Sequence, residues 1–238
     1  MKIMNATKTS TLIESDLQYF ATHFETKSIE EILAWAVPQF APRIAMTSSF
    51  GAEGVVLIDH LAKFGIKLPV IYLDTGFHFA ATTELKEKLE DRYGLEIIVQ
   101  QADLGVAEQA QLHGEKLYAR DPDACCRIRK VEPLKQALSN LDAWVAALRR
   151  DQSPTRANIQ IVEWNAKHQL VKINPLATWT RKDVWNYTLK NNLPYHQLYD
   201  EGYTSIGCWP CTKRVSAGDH ERSGRWSGQG KIECGIHL

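Results

Sequence analysis

Several features are missing from this chain, and each absence removes a class of function. Net charge is absent: 28 Lys and Arg balance 28 Asp and Glu in 238 residues. No global field therefore draws the chain to nucleic acid or to an anionic membrane surface. No stretch approaches the ~20 consecutive apolar residues that a bilayer-spanning helix needs. The opening Met1-Lys2-Ile3-Met4-Asn5 lacks the apolar core of a secretory leader, which makes a reducing cytosol the expected compartment. Internal repeats and low-complexity linkers are missing, so one domain is expected at this length. The lack of a recognisable helix-turn-helix argues against a regulator that binds nucleic acid. Cysteine is scarce, five in all. In a reducing compartment disulfides are rare, and metal-binding and nucleophilic roles gain weight.

Those five cysteines are not scattered. Cys125 and Cys126 are adjacent, Cys208-Trp209-Pro210-Cys211 is a CxxC, and Cys234 stands alone near the end. Independent buried thiols would rarely produce both a pair and a CxxC. Adjacent cysteines seldom bond to each other, because disulfide geometry strains the peptide between them. Four thiolates suit an iron–sulfur cluster or zinc. Four-thiolate zinc sites usually use two CxxC knuckles, so the cluster is favoured and zinc stays open. Asp121-Pro122-Asp123 before the pair and Arg127, Arg129 and Lys130 after it place the pair at the beginning of a helix, whose dipole helps to hold thiolates. Cys234 is left over. It lies in Glu233-Cys234-Gly235-Ile236-His237, a polar and glycine-rich setting suited to a reactive thiol. Lys231, His237, Arg222 and Arg225 can raise its thiolate fraction.

Apolar periodicity places these residues on a fold. The first forty residues read as helices, with a capping box at Ser28-Ile29-Glu30-Glu31 opening a run to Trp35. Strands are expected at 43–49, 69–73, 96–99 and 143–148, with helices at 53–64, 82–93 and 131–141 between them. Such alternation implies parallel βαβ units with right-handed crossovers. Segments 159–164 and 170–173 flank Asn165-Ala166-Lys167-His168 and read as an edge hairpin. Thr180-Arg181-Lys182-Asp183 caps a helix running to Lys190. The expected class is therefore α/β: a single Rossmann-like domain with a central, mostly parallel sheet flanked by helices. Residues 212–238 carry five glycines and five Lys or Arg with almost no apolar periodicity. They are expected to form a mobile, functional tail after a domain of residues 1–211.

Three segments fall at the carboxyl edge of that sheet, where open α/β sheets bind ligands. Thr47-Ser48-Ser49-Phe50-Gly51-Ala52-Glu53-Gly54 joins the first strand to its helix, and small residues there let backbone N–H groups approach an anion. Leu73-Asp74-Thr75-Gly76 follows the second strand and suits a base or ribose. Arg149-Arg150-Asp151 follows the fourth, and Arg is a natural fork for phosphate or sulfate oxygens. His78 has no identifiable partner and reads as a surface or packing histidine.

Taken together, these residues resemble the assimilatory adenylyl-sulfate (APS) reductases of the wider phosphoadenylyl-sulfate (PAPS) reductase family. The resemblance rests on Ser48-Ser49-Phe50-Gly51-Ala52-Glu53, similar to that family's modified PP-loop, and on Leu73-Asp74-Thr75-Gly76. It extends through Cys125-Cys126-Arg127-Ile128-Arg129-Lys130, Leu148-Arg149-Arg150-Asp151-Gln152-Ser153, Cys208-x-x-Cys211 and the Cys234 motif. Ala147 departs from the glycine usual before the Leu-Arg-Arg segment. The resemblance implies an adenine nucleotide alpha-hydrolase-like fold and a two-step reaction. Cys234 attacks the sulfur of APS, AMP leaves, and thioredoxin or a glutaredoxin-like donor then releases sulfite. It implies one 4Fe–4S cluster on Cys125, Cys126, Cys208 and Cys211, acting by structure and electrostatics through Lys130. Ser48, Ser49, Phe50, Gly51, Leu73 and Thr75 would border adenosine. Lys130, Arg222, Arg225 and His237 would surround sulfate and phosphate, with Arg149 or Arg156 contributing. A homo-oligomer without nucleic-acid or membrane partners is implied. Alternatives are a PAPS or dual-substrate reductase, a cluster-bearing redox sensor, and a PP-loop ATP pyrophosphatase. The last would want SGGxDS, where this chain, counted from Ser49, has Phe50, Glu53 and Gly54 in place of the first Gly, the Asp and the final Ser.

Overall fold

The computed structural model describes residues 14–216 and 218–237, so the expectation of helix over residues 1–13 lies outside the described residues. The first elements are α1 (Glu14–His23) and α2 (Ile29–Phe40). The capping box at the start of α2 forms as read: Ser28 Oγ accepts from the Glu31 N–H at 3.2 Å, and the Glu31 carboxylate accepts from the Ser28 N–H at 2.9 Å. The helix runs past Trp35 to Phe40 because Ile32, Leu33, Ala36 and Phe40 bury one face.

A doubly wound unit follows: β1 (Ile44–Thr47), α3 (Ala52–Lys63), β2 (Val70–Asp74), α4 (Ala80–Tyr93) and β3 (Ile97–Gln101). Two helices not anticipated from the sequence, α5 (Val106–His113) and α6 (Leu117–Arg120), lead to α7 (Pro122–Cys126). Beyond it come a π-helical turn (Arg127–Val131), α8 (Glu132–Leu138) and β4 (Ala143–Ala146). Short 3₁₀ turns at Arg150–Gln152 and Pro154–Arg156 precede β5 (Val162–Asn165), β6 (Leu170–Ile173) and α9 (Arg181–Lys190). The helical run at the cysteine pair starts earlier than expected. Asp121 accepts the Ala124 N–H at 2.9 Å and Pro122 occupies the first turn, so the cysteines end α7 and the wide turn carries Lys130.

Among the described residues six strands form one sheet in the order β3-β2-β1-β4-β6-β5. All neighbours are parallel except the β5–β6 hairpin at the edge, in register Val162↔Ile173 to Asn165↔Leu170. Side chains alternate across the sheet with a period of two. Ile44, Met46, Val145 and Ile173 pack with α2, α3, α4 and α9 on one face, and Ala45, Ile71, Trp144 and Ala146 pack under α8 on the other. The chain winds outward from β1 through β2 to β3, then returns to place β4 on the other side of β1. That reversal opens a crevice at the carboxyl ends of β1, β2 and β4, where all three expected ligand segments emerge. Among the described residues no helix is long and apolar enough to cross a membrane.

Candidate active site

The loop leaving β1 is shaped by a local hydrogen bond and a glycine. Ser48 Oγ accepts the Phe50 N–H at 3.0 Å. The tight turn holds Phe50 at φ 57°, a conformation uncommon for a non-glycine residue, with its ring fully buried near Tyr72. At Gly54 a Cβ would stand 2.4 Å from Ser48 Oγ, so a side chain there would displace the hydroxyl that accepts the Phe50 N–H. This gives a physical reason for Gly54 where a pyrophosphatase loop has serine.

The crevice beyond is a cavity of about 190 Å³, several times the ~30 Å³ of one water. Ser48, Ser49 and Gly51 form one wall, Leu73, Thr75 and His78 another, and Lys130, Arg156, Arg222, Arg225, Cys234 and His237 the third. Two of the residues expected at the ligand do not line it. Phe50 supports the loop from below. Arg149 is fully buried, donating to Glu53 at 2.9 Å and to both oxygens of Glu221 at 3.0 and 2.8 Å, with Asp151 as a third carboxylate partner. Glu53 and Glu221 themselves face the cavity, making that end acidic. Burial, with repulsion from Glu53, raises the Glu221 carboxyl above its ordinary range despite Arg149. His78 is not the unpartnered histidine the sequence suggests: its Nε2 lies 2.9 Å from the Leu73 carbonyl, and burial lowers its pKa.

The basic part of the lining is organised by Trp226, a buried residue at φ 49°. The Arg225 guanidinium lies 4.5 Å from its ring centre, Lys231 5.8 Å, and Lys130 and Arg222 5.9 Å. Arg225 also packs on Gly207, where a Cβ would come within 2.3 Å of the guanidinium. Burial opposes the charge of Lys130, but the facing sulfurs of Cys208, Cys234 and Cys126 outweigh it and raise its pKa. Burial and the neighbouring Arg156 pull Arg222 down to about 10, which leaves it cationic at neutral pH. Burial, then Lys172 and Arg156, hold His237 neutral, well below the usual imidazole range. Its ring stacks on Trp144 at 5.2 Å and 11°, and its buried Nδ1 has no hydrogen-bond partner among the described residues. The segment 231–237 is docked against the crevice. Glu233 accepts from Arg156 at 2.8 and 2.9 Å, Lys167 donates to the Gly235 carbonyl at 2.6 Å, and Lys231 pairs with Asp123.

Next to Lys130 the other four sulfurs meet. Cys125, Cys126, Cys208 and Cys211 are 5–8% exposed and line one small pocket with Phe77, Tyr118, Pro122, Arg129, Lys130 and Pro210. Burial pushes the Cys126 thiol up to about 12 and raises Cys125 and Cys211. Cys208 moves down although burial opposes it, because Lys130 and the Thr75 hydroxyl, 3.3 Å from its sulfur, favour the thiolate. Gln109 Nε2 lies 4.0 Å from the Cys125 sulfur, and its carbonyl holds Arg129 Nε at 2.8 Å. Arg129 Nη2 is buried and has no hydrogen-bond partner among the described residues. Four soft donors ringed by N–H and O–H groups, one of them unspent, fit a thiolate-bound group of net negative charge. Among the described residues no three His, Cys, Asp or Glu side chains already stand as the ligands of a single ion.

Sequence reasoning missed Glu53 and Glu221 as cavity residues, His78, the organising role of Trp226, and Glu233. The one available signal was the clustering of Glu221, Arg222, Arg225, Trp226 and Glu233 in an otherwise nonperiodic tail.

Comparison with known proteins places these features in context. The phosphoadenosine phosphosulfate reductase domain family matches residues 43–214. A phosphoadenosine 5′-phosphosulfate reductase of Gloeobacter violaceus is 45% identical over 227 residues, covering 94% of each chain. An adenosine 5′-phosphosulfate reductase of Geobacillus thermodenitrificans is 46% identical over 220 residues, 92% of this chain and 94% of that one. The crystal structure of the Candida auris phosphoadenylyl-sulfate reductase, a phosphate complex, superposes with TM-score 0.77 at 29% identity, covering 86% of this chain and 98% of that one.

Proposed function

This chain belongs to the phosphoadenosine phosphosulfate reductase family, and we propose that it reduces adenylyl sulfate to sulfite and AMP in sulfate assimilation. One observation carries the reading. Cys234, which packs against the cluster of Cys126, Cys211 and Trp226 without lining the four-cysteine pocket, borders the same cavity as Lys130, Arg156, Arg222 and Arg225 and the β1–α3 loop. A thiol, a cationic wall and the β1–α3 loop converge on one cavity there.

The proposed chemistry has two steps. The Cys234 thiolate attacks the sulfate sulfur of APS; an S–S bond forms, the S–O bond to the phosphate breaks, and AMP leaves with that electron pair. Lys130, Arg222 and Arg225 offset the charge on the transferring group, which is where electrostatic stabilisation matters most. Ser48, Ser49, Gly51, Leu73 and Thr75 hold the adenosine, and Phe50 shapes their loop from beneath. A dithiol donor of thioredoxin or glutaredoxin type then attacks the Cys234 sulfur and expels sulfite. Its second thiol resolves the mixed disulfide, so that the donor leaves oxidised and Cys234 returns as thiolate. Cys125, Cys126, Cys208 and Cys211 would hold one 4Fe–4S cluster, which when bound supplies structure and a charged surface beside Lys130. The buried unpartnered Nη2 of Arg129 supports that placement. A cytoplasmic homo-oligomer is part of the same proposal.

The relatives carry names for both nucleotides, so a PAPS reductase is the second reading. APS is favoured because the loop 48–54 holds no Lys or Arg, while Glu53 and Glu221 face the cavity beside it. A 3′-phosphate at that end would meet carboxylates. The test is release of AMP and sulfite from APS with reduced thioredoxin by wild-type protein and by Cys234→Ser. Equal turnover by the two proteins would rule out the mechanism.

A further inference from the structure

The residue before the reactive cysteine has the densest set of polar contacts in the tail. The Glu233 carboxylate is buried and accepts five hydrogen bonds. Arg156 donates two from Nε and Nη2 at 2.8 and 2.9 Å, and Arg222 Nη2 donates one at 3.1 Å. The hydroxyls of Ser153 and Thr155 add two at 3.3 and 3.2 Å. Side-chain exposure is 3% for Glu233 and 9% for Arg156. A pair this buried and this fully hydrogen-bonded leaves an uncompensated charge if either side is removed, unlike a surface ion pair of negligible worth. Arg156 donates its remaining Nη1 to Gln152 at 2.5 Å, so its guanidinium is committed to protein groups although it borders the cavity.

The surroundings suggest what such a contact is for. Ser153, Thr155 and Arg156 belong to the short turns after β4. Gly230 at φ 64° and Gly235 at φ 86° flank Glu233 and Cys234, both in the left-handed region that glycine enters without cost. The short stretch between them is joined to the body through Glu233 and, beside it, through Lys231 with Asp123 at the rim. Consecutive Cα atoms are ~3.8 Å apart, so fixing the Glu233 carboxylate fixes the Cys234 thiol within one residue's reach.

We propose that Glu233, clasped by Arg156, Ser153 and Thr155, is the positioning residue that seats Cys234 at the cavity for attack on the nucleotide. Arg156 then acts through Glu233 and is not itself an anion ligand. This inference rests on the reading of Cys234 as the nucleophile.

The test uses the cluster-loaded full chain with Glu233→Gln, Glu233→Asp, Arg156→Lys and the charge-swapped Glu233→Arg/Arg156→Glu pair. Three readouts are taken: the rate of AMP release in a single turnover at saturating APS, the equilibrium affinity for AMP, and the rate of Cys234 alkylation by iodoacetamide without nucleotide, followed on the Cys234 peptide. Glu233→Gln and Arg156→Lys should slow AMP release tenfold or more while AMP affinity stays within twofold of wild type. Both should speed alkylation several-fold, and Glu233→Asp and the swapped pair should recover part of each. Unchanged alkylation in Glu233→Gln overturns the proposal. So does a tenfold loss of AMP affinity in Arg156→Lys with an unchanged saturating rate, which would make Arg156 a ligand of the nucleotide. Wild-type protein that releases no AMP from APS would fail the functional reading instead, and the alkylation rates would still judge the clasp.

Discussion

Replacing Arg149 with leucine separates two roles that the sequence leaves joined. Arg149 is wholly buried and serves Glu53, Glu221 and Asp151, whose side chains are 14%, 13% and 41% exposed. Arg149→Leu strands the first two carboxylates beside each other with no cation between them. Breaking a buried ionic cluster from one side costs about 3–5 kcal/mol. For a chain of this size each kcal/mol moves Tm by about 2–4 °C, so a drop of roughly 6–20 °C is expected by calorimetry or thermal shift at pH 7. The pH dependence has a definite sign. The Glu221 pKa is already raised by burial and by Glu53, so its contribution to stability is present at low pH and is lost as pH rises through the folded value. Without Arg149 that pKa rises further, so the deficit of the variant should shrink as pH falls from 7 toward 5. Adding Glu53→Gln and Glu221→Gln should recover most of the lost Tm at pH 7. An Arg149→Leu protein that melts within 2 °C of wild type but loses tenfold or more in APS affinity would refute the reasoning and make Arg149 a substrate contact.

Serine at position 125, 126, 208 or 211 should lower iron and acid-labile sulfide and bleach the brown absorbance near ~400 nm expected of a four-thiolate cluster; wild-type iron in all four variants would exclude that ligand set. Steady-state kinetics on both nucleotides should give a higher kcat/KM for APS than for PAPS, and a tenfold preference for PAPS, about 1.4 kcal/mol of transition-state discrimination, would reverse the assignment. The Glu233 carboxyl is held below its usual range: burial opposes this, but Arg156 and Arg222 outweigh it. The stability it contributes should be present above the ordinary carboxyl pKa and fade as pH falls through the lowered one, seen as faster Cys234 alkylation in acid than the thiolate fraction alone explains.

What could be read from the chain divides by the distance over which each feature is decided. The boxes at Ser28 and Thr180 are settled within four residues, and both form as read. The βα alternation and the 162–173 hairpin follow from local periodicity and came out in order. The four cysteines declared themselves by spacing, although only the fold brings 125–126 to 208–211. Long-range features stayed hidden. Arg149 looked like an anion fork because Glu53 and Glu221, 96 and 72 positions away, leave no local mark. Glu233 looked like part of a polar tail because its partner Arg156 lies 77 positions upstream. The resemblance implies Phe50 as a ligand contact, yet it sits at positive φ with its ring in the core. The helices at 106–113 and 117–120 carry little apolar periodicity, with one buried residue in each.

The central claim is that Cys234 alone carries the transferred sulfur group while the other four cysteines do not react. The most direct measurement is peptide mass spectrometry of wild-type protein after incubation with APS and no thiol donor. The account predicts up to one AMP released per site, one added SO3 on the peptide containing Cys234, and discharge of that adduct as sulfite by reduced thioredoxin. Cys234→Ser should keep its brown colour and release no AMP, because a serine hydroxyl is far less ionised than a thiol. An adduct on Cys125, Cys126, Cys208 or Cys211, or turnover persisting in Cys234→Ser, would contradict it.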